Sequence, residues 1–242
     1  MRNLEPRTQT LITELRLTLK THDELNPKFW ENERLLPDVW IALNRIGVAW
    51  AKFAKIPQEA ITDVVIIGGN ANYNYTKQSD VDLHLIVDKS LIQCRGLLDE
   101  YLQSKKELWA KTHNITIKGH PVELYAQDKR DSFKQGQGVY SLVSNKWLQK
   151  PTRVRINTND KTVKAKVQDL THQIDSLITS KSDDLDSFKR IKNKIKGMRS
   201  AGITKGGETS PENLAFKELR NRGVLDRMNR YMLDLHDKSL SL

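Results

Sequence analysis

The 242-residue sequence has little of what marks secreted and membrane proteins. Its one cysteine, Cys94, excludes a disulfide within the chain and favours a reducing compartment. No apolar run approaches the roughly 20 residues that a membrane-spanning helix needs, and the N-terminus, MRNLEPRTQT, lacks the apolar core of a signal peptide. We therefore expect a cytoplasmic protein that does not enter a membrane.

Positive charge is in excess, and it is unevenly distributed along the chain. Residues 1–149 contain 20 Lys and Arg against 18 Asp and Glu, whereas residues 150–242 contain 20 against 12. The net charge is therefore +2 in the first part and +8 in the second, which together give the chain's +10. A basic region of this kind favours a polyanionic partner, either nucleic acid or nucleotide phosphates. A lysine-rich solvated surface without a partner is the alternative.

Hydrophobic spacing predicts an α/β (α+β) fold with a small mixed sheet in the first 150 residues. Four consecutive β-branched residues end at the glycine pair Gly68-Gly69, which predicts a buried strand and then a tight loop. The predicted elements, in chain order, are helices at Thr8–Lys20 and Pro37–Lys55, strands at Asp63–Ile67 and Val81–Val87, a helix from Ser90 to about His113, and a hairpin from Ile115 to Ala126.

The pattern changes after about residue 136, where Gly136-Gln-Gly138 breaks the chain, and Lys150-Pro151 predicts a linker between residues 1–150 and residues 151–242. The elements expected beyond the linker are helices around 160–180, 184–200 and 211–222, with a glycine-rich break at 201–207. The last of these helices has a hydroxyl cap and a proline in its first turn. The second region is therefore expected to be helical as well as basic.

Three acidic residues stand in predicted strands where folding alone gives no reason to place them. Asp80 and Asp82 are two residues apart, so their side chains share one face of a strand. Glu123 lies between Val122 and Leu124 in a later apolar strand. Neighbouring carboxylates repel each other, and a divalent cation removes this repulsion. Because Mg²⁺ prefers hard oxygen ligands, the three acids predict a magnesium site, with Mn²⁺ as an alternative ion.

The glycine pair precedes the first of these acids by a loop of ten residues. Glycine lets the backbone turn sharply and come close to a ligand, so that its amides can point at phosphate oxygens. Gly68 and Gly69 are therefore candidates for binding the triphosphate of a nucleotide. Taken alone, a glycine pair is usually only a turn.

Order and spacing together make the pattern specific. Ile67-Gly68-Gly69, followed by Ser79-Asp80-Val81-Asp82-Leu83, resembles the hallmark of the DNA-polymerase-β-like nucleotidyltransferases. A third acid on a neighbouring strand completes that hallmark, and Glu123 matches it. The third acid of the family is more often Asp, so Glu is a departure that some antibiotic nucleotidyltransferases share. The resemblance covers about residues 61–127, and Val122-Glu-Leu-Tyr125 resembles nucleotidyltransferases of tailed phages more loosely.

The resemblance implies an activity and a role for each site residue. Two Mg²⁺ ions would lie between the carboxylates and a nucleoside triphosphate, with Asp80 and Asp82 touching both ions. Glu123 would bind the ion on the side of the attacking hydroxyl and help to take its proton. Gly69 and Ser79 would contact the triphosphate.

Other residues are candidates on weaker grounds. Tyr75 and Lys77 lie in the loop beside the expected triphosphate, where they could stack on a base or pair with a phosphate. His84 follows Asp82 on the same strand face, where a hydrogen-bonded core histidine is the commoner outcome. The basic helix around Lys192, from Lys189 to Arg199, is either a solvated face or a contact for RNA or nucleotide.

The sequence therefore predicts an enzyme that transfers a nucleoside monophosphate from an NTP to an acceptor hydroxyl. RNA, including a tRNA end, is the favoured acceptor. Nucleotidylation of a protein such as a toxin-like or host partner, synthesis of an oligonucleotide second messenger, and modification of a small molecule are enzymatic alternatives. A degenerate RNA-binding module is the non-enzymatic alternative, which three intact acids argue against.

Overall fold

The computed structural model describes residues 15–92 and 96–241, and contacts within it define two compact units. The sheet unit is Thr21–Val154. The helical unit joins Arg155–Leu242 to the described part of Met1–Lys20. Cys94 lies outside the described residues. The chain is thus a mixed α/β protein, as expected, and none of its described helices combines the length and apolarity needed to cross a membrane.

The sheet unit is built around one mixed sheet. Its strands are β1 Trp30–Glu31, β2 Arg34–Leu35, β3 Ile61–Ile67, β4 Val81–Val87, β5 Thr116–Ile117, β6 His120–Asp128, β7 Val139–Ser141 and β8 Lys146–Gln149, and its α-helices are α1 Pro37–Phe53 and α2 Leu98–Thr112. β1 and β2 pair with each other, and the other six strands form a sheet in the order β5-β6-β4-β3-β7-β8. Of the neighbours in this sheet, β4 and β6 are parallel and the others antiparallel.

The two faces of β4 differ because its sequence alternates. Val81, Leu83 and Leu85 are fully buried in the same hydrophobic core as residues of α1. Asp82 and His84 alternate with them and are only partly buried. Burying one apolar face against a helix therefore fixes the register of the strand and leaves its acidic residue on the opposite face.

The described part of the helical unit contains four α-helices with their own core. They are α3 Lys161–Thr179, α4 Leu185–Gly206, α5 Pro211–Asn221 and α6 Val224–Leu240. Asp160 caps α3 by accepting hydrogen bonds from the Thr162 and Val163 amides, and the Ser210 hydroxyl caps α5. Apolar side chains from all four helices share one cluster, in which Ile174, Phe188, Leu219 and Met228 are buried.

The helix predicted for Thr8–Lys20 is wrong in its described part. Residues 15–20 are not helical, whereas residues 8–14 lie outside the described residues. The Thr18 amide donates to both carboxylate oxygens of Glu218, at 3.0 and 2.9 Å, and its hydroxyl donates to the same carboxylate at 2.9 Å. This contact, 200 residues away in the chain, takes the backbone donor that a helix would have used.

The glycine-rich break predicted at 201–207 is wrong for most of its length, because α4 continues through Gly202 to Gly206 and its C-cap is Gly207, which has a φ of +68°. A Cβ at Gly202 would lie 2.5 Å from the Glu212 Cβ and 2.8 Å from the Ser210 Oγ. Glycine at this position therefore allows α4 and α5 to pack closely, and it does not interrupt the helix.

The remaining predicted elements are confirmed with shifted ends. The predicted helices at 37–55, 160–180 and 211–222 correspond to α1, α3 and α5, and both predicted strands correspond to β3 and β4. The helix expected from Ser90 begins only at Leu98, after a short 3₁₀ turn at Lys89–Leu91 and residues 93–95, which are not described. The short strands β1, β2, β7 and β8 and the helix α6 were not predicted.

Candidate metal and nucleotide site

The parallel pairing of β4 with β6 brings acidic residues together. In this register Asp82 lies opposite Glu123 and His84 lies opposite Tyr125. Asp80 stands two residues before Asp82, at the entry to the strand. One carboxylate oxygen each from Asp80, Asp82 and Glu123 can be chosen so that all three lie within 4.8 Å of one another. The three acids that the sequence singled out thus form one partly exposed cluster.

The cluster has the donor set that Mg²⁺ or Mn²⁺ requires. All three candidate ligands are carboxylate oxygens, and each residue is partly exposed, so water and phosphate oxygens can complete the coordination. The Lys106 ammonium lies 3.5 Å from one oxygen of Glu123 and offsets one of the three negative charges. The remaining charge suits a divalent cation, and the residues present therefore fit such an ion.

The backbone of the glycine pair lies directly against Asp82 and Ser79. Gly68 has a φ of +77°, which side chains rarely allow, and a Cβ at this position would lie 1.7 Å from the Asp82 Oδ2. A Cβ at Gly69 would lie 2.8 Å from the Ser79 Oγ. Glycine at both positions therefore leaves room for the Asp82 carboxylate and for the end of the loop.

The other predicted nucleotide ligands lie on the loop between β3 and β4. Ser79 is buried, and its hydroxyl accepts a hydrogen bond from the Thr76 amide at 2.9 Å. The Tyr75 ring stacks on His22, with centroids 3.8 Å apart, and burial raises the pKa of Tyr75. Lys77 is exposed near the tip of the loop. Ser79 thus closes the loop beside the acids, whereas Lys77 projects into solvent.

Tyr125 and Lys106 join the site, although neither was among the predicted site residues. The Tyr125 hydroxyl donates a 2.6 Å hydrogen bond to the Glu123 Oε2, and the Lys106 ammonium lies 3.3 Å from the Tyr125 ring centroid. Burial, the hydrogen bond to Glu123 and the charges of the acidic cluster all raise the pKa of Tyr125. The hydroxyl therefore keeps its proton and orients one oxygen of Glu123.

His84 extends the same polar face one step away from the acids. Its Nδ1 is 2.8 Å from the Gln127 Oε1, and its ring stacks on Tyr125 with centroids 4.5 Å apart. Burial lowers the pKa of His84 to about 4. The imidazole is therefore neutral at pH 7, and it supports Tyr125 from within the sheet.

The basic residues of α4 are all exposed. They are Lys189, Arg190, Lys192, Lys194, Lys196, Arg199 and Lys205. Lys189, Lys192, Lys196 and Arg199 recur at intervals of three and four residues, so they share one face of the helix. Arg199 also lies over the Phe216 ring, 4.2 Å from its centroid. The helical unit therefore presents a positive stripe, as the charge pattern predicted.

Comparisons with known proteins add no information about the site. No protein-family model matches the chain, and no curated protein or solved structure matches it either.

Proposed function

We propose that the protein is a metal-dependent nucleotidyltransferase with a polymerase-β-like core. The observation that carries the proposal is the cross-strand pairing of Asp82 with Glu123, which Asp80 completes to a three-carboxylate cluster. The Gly68 backbone supports it, because that position excludes a side chain from the Asp82 carboxylate. A strand, a glycine turn, a loop and a second acidic strand thus follow one another in the order that the family hallmark requires.

The three carboxylates would hold metal ions. The family resemblance implies that there are two of them. Divalent cations in such a site activate an attacking hydroxyl and neutralise charge on the departing pyrophosphate. Tyr125 holds the Glu123 carboxylate in one orientation through its 2.6 Å hydrogen bond. Glu123 is the residue proposed to accept the proton of the acceptor hydroxyl.

The nucleotide is proposed to lie at the glycine turn. Gly68 and Gly69 leave the backbone open to close approach by a triphosphate. Ser79 stands beside Gly69 and is the proposed side-chain ligand, while Tyr75 and Lys77 are proposed to contact the nucleotide from the loop. Tyr75 already stacks on His22 and is partly exposed, which suits a role in stacking on a base.

RNA is the proposed acceptor. The exposed stripe of α4 favours a partner with regularly spaced negative charge, and RNA carries one phosphate per nucleotide. A protein acceptor would not need such a stripe. The stripe therefore favours RNA over protein nucleotidylation, which becomes one outcome of the experiment below.

A labelling experiment tests the proposal directly. The protein is incubated with each α-labelled NTP in turn, Mg²⁺ or Mn²⁺, and total RNA. The Asp80→Asn, Asp82→Asn double variant serves as the control, because it removes the charge of two ligands and keeps their size. We expect label in RNA with the wild type and none with the control.

Each other outcome decides between the alternatives. Label on a polypeptide would show protein nucleotidylation, and label in short soluble oligonucleotides would show messenger synthesis. Equal labelling by the control variant would contradict the metal site. RNA binding without any labelling would favour the degenerate module.

A further inference from the structure

The loop between β3 and β4 is closed at its base by a buried side chain. Asn70 is fully buried, and its Nδ2 donates to the Asp80 carbonyl at 2.8 Å and to the Ser79 carbonyl at 3.2 Å. Asn70 opens the loop and Ser79-Asp80 ends it. The amide therefore joins the two ends of the loop directly before the first acid of the site.

A buried histidine reaches the same point from β6. The His120 Nδ1 lies 2.6 Å from the Ser79 carbonyl oxygen, and the residue is 3% exposed. A carbonyl oxygen can only accept, so Nδ1 carries the hydrogen and donates it. The 3.4 Å approach of the Asn70 Nδ2 to this nitrogen is then a contact between two donors. The tautomer of His120 is thus set by the loop.

Asn70 is itself held on both of its oxygen atoms. The Asn26 Nδ2 donates to the Asn70 Oδ1 at 2.8 Å, and the Trp30 indole donates to the Asn70 carbonyl at 2.6 Å. Asn26 and Trp30 are both buried. A buried network whose members are hydrogen-bonded to one another is rigid, and any lost member leaves a costly unpaired group.

The network connects the two chain segments that supply the acidic cluster. His120 stands three residues before Glu123 in β6, and its partner Ser79 stands immediately before Asp80. We propose that Asn70 and His120 are positioning residues, which fix the Ser79-Asp80 backbone so that Asp80 meets Asp82 and Glu123 around one ion. The proposal rests on the metal site of the proposed function, and it goes beyond that function by assigning the geometry to a second layer of residues.

The two amide substitutions at His120 provide a matched pair. In His120→Asn the amide N–H takes the place of Nδ1, so the hydrogen bond to Ser79 is kept. In His120→Gln the amide reaches the place of Nε2, so that bond is lost. Both variants lose the edge contact of the ring with Phe29, whose centroid is 5.3 Å away. Differences between them therefore report the hydrogen bond and not the packing.

The measured quantity is the affinity for Mn²⁺ in the absence of any nucleotide. Electron paramagnetic resonance determines it from the concentration of free Mn²⁺. We expect His120→Gln to weaken Mn²⁺ binding by about 10- to 100-fold, the scale for losing a group that supports a metal ligand. His120→Asn is expected to stay close to the wild type. Asn213→Ala, which removes a fully buried amide from the helical unit, should lower thermal stability and leave Mn²⁺ binding unchanged.

The outcomes separate this inference from the proposed function. If the wild type binds Mn²⁺ and both His120 variants bind it equally well, the positioning role is wrong while the metal site stands. If the wild type does not bind Mn²⁺, the metal site fails and the inference falls with it. If His120→Gln does not fold, Asn26→Asp, which takes the donor away from Asn70, replaces it and is expected to weaken Mn²⁺ binding in the same way.

Discussion

The sheet unit and the helical unit place their charged side chains in opposite ways. Residues 21–154 contain 18 Lys and Arg against 16 Asp and Glu, a nearly even balance. Even so, three of their acids converge within 4.8 Å at one end of a strand pair. Residues 155–242 contain 18 Lys and Arg against 12 Asp and Glu, and the bases of α4 are spread along an exposed helix.

The difference shows that the net charge of a region does not indicate how its charged side chains are arranged in the structure. Like charges held together in a partly buried cluster require a counter-ion and a fixed geometry, so each residue matters individually. Charges spread over a helix surface interact weakly with one another and act as a sum. Substitutions in the sheet unit should therefore give large, residue-specific effects, and those in the helical unit small, additive ones.

The largest effect is expected from the centre of the cluster. Asp82→Asn, and equally Asp80→Ala, should lower nucleotide transfer by roughly three orders of magnitude or more, the scale for removing one part of a catalytic unit. The fold should survive, because the change relieves repulsion between carboxylates. Single-turnover transfer and thermal unfolding measure the two effects.

A matched control for this substitution stands at the end of β6. Asp128 accepts hydrogen bonds from the Arg130 side chain at 3.0 and 2.8 Å, and Arg130 lowers the pKa of Asp128. Asp128→Asn should therefore cost some stability and leave transfer intact. Near-normal turnover by Asp82→Asn would remove the basis for the contrast between the units.

Glu123→Gln should have the next largest effect. Losing a positioned acid–base group costs about 100-fold or more in rate. Binding of the NTP should survive better, because the glycine turn and the second metal ion, which Asp80 and Asp82 would hold, are proposed to bind most of the triphosphate. Rate and NTP affinity are measured separately. Loss of NTP binding with an unchanged rate at saturation would assign Glu123 to the nucleotide and not to the acceptor.

Tyr125→Phe tests whether transfer depends on the orientation of the Glu123 carboxylate. The substitution removes the hydrogen bond to Glu123 and keeps the contacts of the ring with Lys106 and His84. We expect transfer to fall by about 10-fold, at the lower end of the range for groups that orient a metal ligand. Tyr140→Phe is the control, because its hydroxyl bonds Asn145 at 2.9 Å elsewhere in the unit. Equal rates in both variants would show that Glu123 needs no orienting partner.

Local sequence patterns predict the centre of the site well and its surroundings poorly. Asp80 and Asp82 are two residues apart at the start of β4, whose alternation fixes the face on which they lie, so a period of two is enough to pair them. Tyr125 has the same spacing from Glu123 and could have been found by the same rule. Lys106 could not, because nothing in the sequence of α2 indicates which strand the helix packs against.

Long-range contacts explain the failures in the fold. The residues around Thr18 have an apolar spacing that suits a helix, yet Glu218 binds the Thr18 amide from the far end of the chain. Gly202 suggests a break when only its neighbours are considered, and its reason is the close approach of Glu212 and Ser210. In both cases the deciding partner is supplied by tertiary structure, which overrides local preference.

The smallest effect is expected from the stripe on α4, and it should appear in salt dependence before it appears in rate. Each phosphate contact releases counter-ions, so losing one contact reduces the log–log slope of affinity against salt by roughly 0.7 for single strands. Replacing Lys192, Lys196 and Arg199 together with Ser should therefore flatten the slope for RNA by up to about two units. The control replaces Lys52, Lys111 and Lys146 with Ser; all three are exposed in the sheet unit. It lowers the net charge by the same three units as the α4 variant, and it should reduce the slope less than that variant does. RNA affinity at three salt concentrations, measured for the wild type and both triple variants, decides the matter. Equal slopes for the two variants would mean that RNA senses only the overall charge of the chain, and weak RNA binding at low salt in every variant would exclude RNA as the partner of this stripe.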